Sequence, residues 1–159
     1  MALNIGEKKD VVKEVFEVAS TAQSAVAAEY RGLTVHDLMA LRSNARDLGV
    51  YIKVIKNSLA KRAIKDTEFE CMDSSLKGPL IFAFSKEDLG SAAKLITDFQ
   101  KDNKLLRPVV VAVNGELVDV AKIKQIAALP NKDKAISMLM TVMKLPIEKF
   151  VRTLSAPNI

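Results

Sequence analysis

Strand-like and helix-like runs alternate along the first 130 residues, and that alternation limits the fold more than any other feature. Residues 24–30 read as a short strand, residues 50–55 alternate and are β-branched, residues 80–84 are nearly all apolar after Gly78-Pro79, and residues 109–113 are Val-Val-Val-Ala-Val. Each has the composition of a strand. Val11, Val12, Val15, Phe16 and Ala19 recur at helical spacing and predict a helix over about residues 6–21. Leu38, Leu41, Ala45 and Leu48 predict a second helix, and Ala92, Leu95, Ile96 and Phe99 a later one. Thr34 and Asp37 have the spacing of a capping box, and Gly49 sits where a helix closes. Asn57 is placed to cap a helix reaching about Lys65, and Ser85 to cap the one after residue 84. Residues 66–78 read as a polar loop, Asn114-Gly115 as a hairpin turn, and Asp119 as the start of a short helix ending before Pro130. One sheet covered by helices follows. Four to five short strands and a hairpin fit the α+β class, as a compact two-layer sandwich of plait type.

The chain changes character at Asn131. Ile136, Leu139, Met143, Ile147, Phe150, Val151 and Leu154 follow steps of three or four, with Met140 beside them. A helix over residues 132–154 spans about 35 Å, longer than such a sandwich needs. Pro146 removes one helical donor and crowds the preceding turn, so a kink or break is expected there. Met138, Met140 and Met143 supply flexible, polarizable surface that suits a partner helix. Two domains are expected, residues 1–130 and residues 131–159, the second a helical spine. By periodicity alone, the stripe either folds back onto the first domain or meets a partner.

Net charge is concentrated in one place. Residues 31–65 hold Arg31, Arg42, Arg46, Lys53, Lys56, Lys61, Arg62 and Lys65 against Asp37 and Asp47, a net of +6 in a chain of net +5. Cations interleaved with apolar residues belong to a folded surface that meets a polyanion. Gly32 lets backbone come close to a partner, and Arg31 can fork onto a phosphate. Lys56 and Asn57 fall at a helix N-terminus, which favours phosphate. Aromatic residues are 5% of the chain, so a stacking platform for single strands is not expected, and folded RNA gripped by its backbone is.

Motifs for catalysis are absent. His36 is the only histidine and Cys71 the only cysteine. The acidic residues Asp66, Glu68, Glu70 and Asp73 lack the glycine and final glutamate of a calcium loop. No glycine-rich phosphate loop or nucleophile elbow occurs. No enzyme, metal or cofactor is expected. The competing reading, a small enzyme using the cations as an anion pocket, has no acid or base to work with. One cysteine fits a reducing cytoplasm, and no apolar run has the length to cross a membrane.

Tyr30-Arg-Gly-Leu-Thr-Val35, Leu41-Arg42 with Arg46 and Gly49, and Lys53-Val-Ile-Lys-Asn-Ser-Leu-Ala-Lys-Arg-Ala63 closely resemble the bacterial large-subunit ribosomal protein ten, the stalk-base family. So do Gly78-Pro79 with Ala83-Phe84, and Leu129-Pro130-Asn131 ahead of the last helix. The resemblance implies a structural protein of the cytoplasmic large ribosomal subunit that binds large-subunit rRNA beside ribosomal protein eleven. It implies a C-terminal helix carrying dimers of the acidic stalk protein (seven/twelve), which recruit translation GTPases; two dimers suit a spine of this length. It also implies repression of translation of the protein's own messenger RNA. Arg31, Gly32, Lys53, Lys56 and Asn57 fall in the family's RNA-facing motif, with Arg42, Arg46, Lys61 and Arg62 as further RNA-binding candidates. Ile136, Leu139, Met140, Met143, Ile147, Phe150, Val151 and Leu154 fall in the spine as partner-binding candidates.

Overall fold

A computed structural model of the chain describes residues 4–155 except 66, 87 and 104. It is an α+β protein with one five-stranded antiparallel sheet and a long C-terminal helix. The chain divides into two compact units, Met1–Leu129 and Pro130–Ile159.

The first unit begins with α1 (Ile5–Thr21), capped by Asn4 and Glu7, and continues into β1 (Ser24–Glu29). Next come α2 (Val35–Asp47), β2 (Val50–Val54) and α3 (Asn57–Ile64). A 3₁₀ helix over Glu68–Ser75 leads to β3 (Leu80–Ser85), α4 (Ser91–Asp102) and β4 (Arg107–Val113). β5 (Glu116–Val118), a short 3₁₀ turn and α5 (Ile123–Ala127) complete it. The strand order is β2-β3-β1-β4-β5. β1 and β2 are therefore parallel with β3 inserted between them, and β3 and β4 are parallel with β1 between them. That is the split βαβ pattern of a plait, extended by β5. The Asn114-Gly115 turn behaves as its sequence predicts: both residues have positive φ, 48° and 82°, the geometry that matches the twist of a two-residue hairpin.

The layering differs from expectation. Helices cover both faces of the sheet, so the unit has three layers, not two. On one face, Val15, Ala60, Ile64, Phe69 and Met72 pack against Ala25, Ala27, Phe82 and Phe84. On the other, Leu41, Ala45, Leu95, Ile96 and Ile123 pack against Val26, Ala28, Ile81, Ala83 and Val111. The plait helices α2 and α4 form the second layer, while α1, α3 and the 3₁₀ helix close the face that a plait leaves open. The reason lies in the strands. β1 is buried at every position from Ser24 to Ala28 and β3 at every position, so neither can leave a face in water.

Three local expectations also change. Residues 66–78 are not simply a polar loop: Phe69 and Met72 in the 3₁₀ helix and Leu76 after it are buried, and the Phe69 ring meets Phe84 edge-on at 6.3 Å (Asp66 lies outside the described residues). Ser85 is the last residue of β3, and α4 begins only at Ser91, whose hydroxyl donates to Asp88 at 3.1 Å. Phe16 on α1 is 42% exposed instead of buried.

The second unit is α6 (Lys132–Ser155), 24 residues assigned as helix straight through Pro146, so the break expected there does not occur. None of its side chains is buried.

Candidate functional site

The basic stretch folds around the β2 edge of the sheet. α2 carries Arg42 and Arg46 on one face, and α3 carries Lys61 and Arg62 on the other. The nine RNA-binding candidates therefore do not form a single flat patch: eight occupy three adjoining places, and Arg62 is exposed on α3.

The first is a cleft of about 490 Å³ at one end of the sheet, lined by Tyr30, Val54–Ser58 and Gly78–Leu80. Segments distant in sequence meet here: the end of β1, the β2–α3 turn and the start of β3. Asn57 ties them together. It is the first residue of α3, while Lys56 occupies the cap position, so Asn57 does not cap the helix as its sequence position suggested. Its amide Nδ2 instead donates to Gly78 O at 2.9 Å and Leu76 O at 3.4 Å. Tyr30 N donates to Pro79 O at 3.4 Å from the other side. Lys56 is exposed on this cleft. Arg31 and Gly32 follow Tyr30 directly and are exposed, with Gly32 at φ 90°, a left-handed turn that favours glycine.

The second is α2. Thr34 and Asp37 form the expected capping box: Asp37 N donates to Thr34 Oγ1 at 3.2 Å, and Thr34 N donates to Asp37 Oδ2 at 3.2 Å. The Thr34 hydroxyl and then its backbone N–H hold the Asp37 carboxyl below its usual pKa. Gly49, at φ 66°, follows the end of the helix. Arg42 and Arg46 are exposed, and His36 is exposed in the first turn.

The third place holds cations already engaged by carboxylates. Lys53 on β2 donates to Glu14 Oε2 of α1 at 2.5 Å, and the Tyr51 hydroxyl donates to the other Glu14 oxygen. Hydrogen bonds from Lys53 and then Tyr51 hold the Glu14 carboxyl below its usual range, while burial and Glu14 push the Tyr51 hydroxyl up. Lys61 on α3 donates to Asp73 O at 2.6 Å and lies 3.1 Å from Asp73 Oδ1. By contrast, Arg31, Arg42, Arg46, Lys56 and Arg62 make no ion pair with any described residue. Glu14 and Asp73, far from these lysines in sequence, carry no local signal that would have revealed the pairing.

On α6 all eight partner-binding candidates are exposed, from 43% at Ile136 to 71% at Leu154. Met138, Val142 and Leu145, at steps of four and three, form a second apolar row on the opposite side of the same helix and are also exposed. That row was readable from spacing but was hidden by the longer stripe. The helix carries five cations (Lys132, Lys134, Lys144, Lys149, Arg152) against Asp133 and Glu148.

Among the described residues no cluster of three or more His, Cys, Asp or Glu could hold a metal ion, and no helix is long and apolar enough to cross a membrane. Cys71 is part-buried, and burial raises its thiol pKa.

An α+β domain with cations gathered round one sheet edge, joined to a helix with bare apolar rows, has the surfaces of a structural protein. The profile of the family Ribosomal protein L10 matches residues 4–101, and that of the Ribosomal protein uL10 C-terminal region matches residues 129–156. The chain is 51% identical to Large ribosomal subunit protein uL10 of Thioalkalivibrio sulfidiphilus over 98% of its own length and 88% of that protein. The same-named proteins of a Psychrobacter species and of Francisella tularensis subsp. novicida are 53% and 49% identical, over 97% and 98% of this chain and 88% and 90% of those proteins. The chain belongs to the ribosomal protein L10 family. It is a structural ribosomal protein and not an enzyme.

Proposed function

We propose that this protein is a component of the large ribosomal subunit that binds large-subunit rRNA through its first unit and carries acidic stalk-protein dimers on α6. The carrying observation is the pairing of two unlike surfaces in one chain: cations around the β2 edge that pair with no described carboxylate, and exposed apolar rows on a cationic helix. Phosphates gain from Arg31, Lys56, Arg42 and Arg46, which have no carboxylate to leave among the described residues. Lys53, Lys61 and Arg62 extend the surface, and Gly32 and Asn57 shape its cleft. Exposed apolar side chains need a cover. Ile136, Leu139, Met140, Met143, Ile147, Phe150, Val151 and Leu154 offer helix-in-groove anchors, and the excess of cations on α6 favours an acidic partner. Two dimers fit its length. Ribosomal protein eleven is the proposed neighbour on the rRNA, translation GTPases are recruited through the dimers, and the same RNA surface serves repression of the protein's own messenger RNA.

The test is binding of the Arg31→Glu, Lys56→Glu variant to a large-subunit rRNA fragment across a salt series. Each lost phosphate contact lowers the slope of log K against log salt by about 0.7–0.9. Wild-type affinity with an unchanged slope would place the RNA surface elsewhere.

A further inference from the structure

Between α1 and α3 lies a groove of about 430 Å³ lined by Ile5, Lys8, Lys9, Val12, Lys13, Leu59 and Arg62. Residues 5, 8, 9, 12 and 13 share one face of α1. Ile5, Val12 and Leu59 make the apolar floor, and Ile5 is 69% exposed. Lys8, Lys9, Lys13 and Arg62 make the rim, and among the described residues no carboxylate lines it. Of the acids next to these lysines in sequence, Glu7 accepts from Asn4 N and Glu14 is turned to Lys53 and Tyr51, and Asp10 is not among the lining residues.

We propose that this groove is a second protein-docking site, fitted to an acidic amphipathic helix whose apolar side chains fill the floor and whose carboxylates meet the four rim cations. The proposal goes beyond the rRNA and α6 surfaces described above and shares only Arg62 with the first of them. An aliphatic floor rewards aliphatic side chains, and among the described residues no aromatic ring lines the groove for a base to stack on, which disfavours single-stranded RNA. A second copy of this chain is disfavoured by charge: the whole carries +5, and its exposed apolar helix α6 has five cations to two anions. Its volume of about 430 Å³ falls within the range of ligand-binding clefts. An acidic helix laid in a groove also matches a common mode of peptide recognition.

The test uses the full chain with labelled methyl groups, followed by nuclear magnetic resonance. The probe is a synthetic helical peptide of about four turns with leucine at i, i+3, i+4 and i+7 and glutamate elsewhere. The methyl signals of Ile5, Val12 and Leu59 should shift saturably. Affinity should fall about tenfold or more in Lys8→Glu, Lys13→Glu and with a peptide whose leucines are serines. Both lysines are exposed, and unchanged circular dichroism of the variant will show that its fold is intact. Four results would overturn the proposal: no shift at millimolar peptide, equal binding of a lysine-for-glutamate peptide, the same methyls moving with an rRNA fragment but not with the peptide, or concentration-dependent shifts without any peptide.

Discussion

If Lys53 grips rRNA as proposed, Glu14 restrains it, and removing Glu14 should strengthen binding. Lys53 Nζ is 2.5 Å from Glu14 Oε2, so a phosphate gripped by the same ammonium sits roughly 5–6 Å from the carboxylate. Two like charges at that distance repel by about 0.7 kcal/mol in water, and salt at about 0.1 M cuts this by nearly half. Glu14→Gln should therefore bind an rRNA fragment about twofold tighter. Its salt slope should steepen by as much as about 0.7–0.9 as Lys53 becomes a full phosphate contact. The side chains are partly exposed, so the lost ion pair costs at most about 1 kcal/mol of fold stability, and Gln can still accept from Tyr51. Lys53→Gln does the reverse: it deletes the cation and leaves a bare carboxylate facing RNA. The double variant should recover part of that loss, which a double-mutant cycle measures by fluorescence anisotropy at several salt concentrations. If Glu14→Gln binds no tighter and with the same slope, or if Lys53→Gln and the double variant match, Lys53 is a strut between α1 and β2 and not an RNA contact.

Further outcomes follow from the same geometry. Asn57→Ala removes two amide hydrogen bonds that join α3 to the loop before β3, and should lower stability by about 1 kcal/mol and weaken RNA binding without changing the salt slope, read by chemical denaturation and titration. Phe69→Ala empties a fully buried site against Phe84 and should cost about 3–5 kcal/mol, seen as a large drop in the urea midpoint. Because hydrogen bonds from Lys53 and Tyr51 depress the Glu14 pKa in the folded state, its stabilisation is present above the unfolded pKa and lost as pH falls through the folded one. Glu14→Gln should therefore lose less stability than the wild type between about pH 5 and pH 3, measured by denaturation at each pH.

Local chemistry was the most legible part of the fold. The Thr34–Asp37 box, Gly49 and Asn114-Gly115 each act through neighbours a few residues away, so their outcome is written within a short window. The apolar periodicity of α4 and α6 was equally clear, because Ala92, Leu95, Ile96 and Phe99 face one cluster. The third layer was less so. Its evidence was the unbroken apolar run of β3 and the Ala-Val-Ala-Ala of β1, which require cover on both faces. The acidic residues around Phe69 and Met72 masked a segment whose apolar positions, 69, 72 and 76, step by three and four toward the core. At the site, the cations were visible as a charge run, but their pairing was not. Glu14 and Asp73 reach Lys53 and Lys61 only through tertiary structure. Asn57, placed by pattern as a cap, is held by a loop about twenty residues away that no local rule connects to it.

The division of work between the two units is tested most directly by native mass spectrometry of the full chain mixed with acidic stalk-protein dimers and an rRNA fragment. The variant Leu139→Asp, Ile147→Asp, Leu154→Asp places charge along the exposed stripe of α6 and leaves the sheet unit untouched. The wild type should appear with two dimers and RNA, and the variant with RNA alone at wild-type affinity. A variant that keeps its dimers, or that loses RNA together with them, would contradict the account.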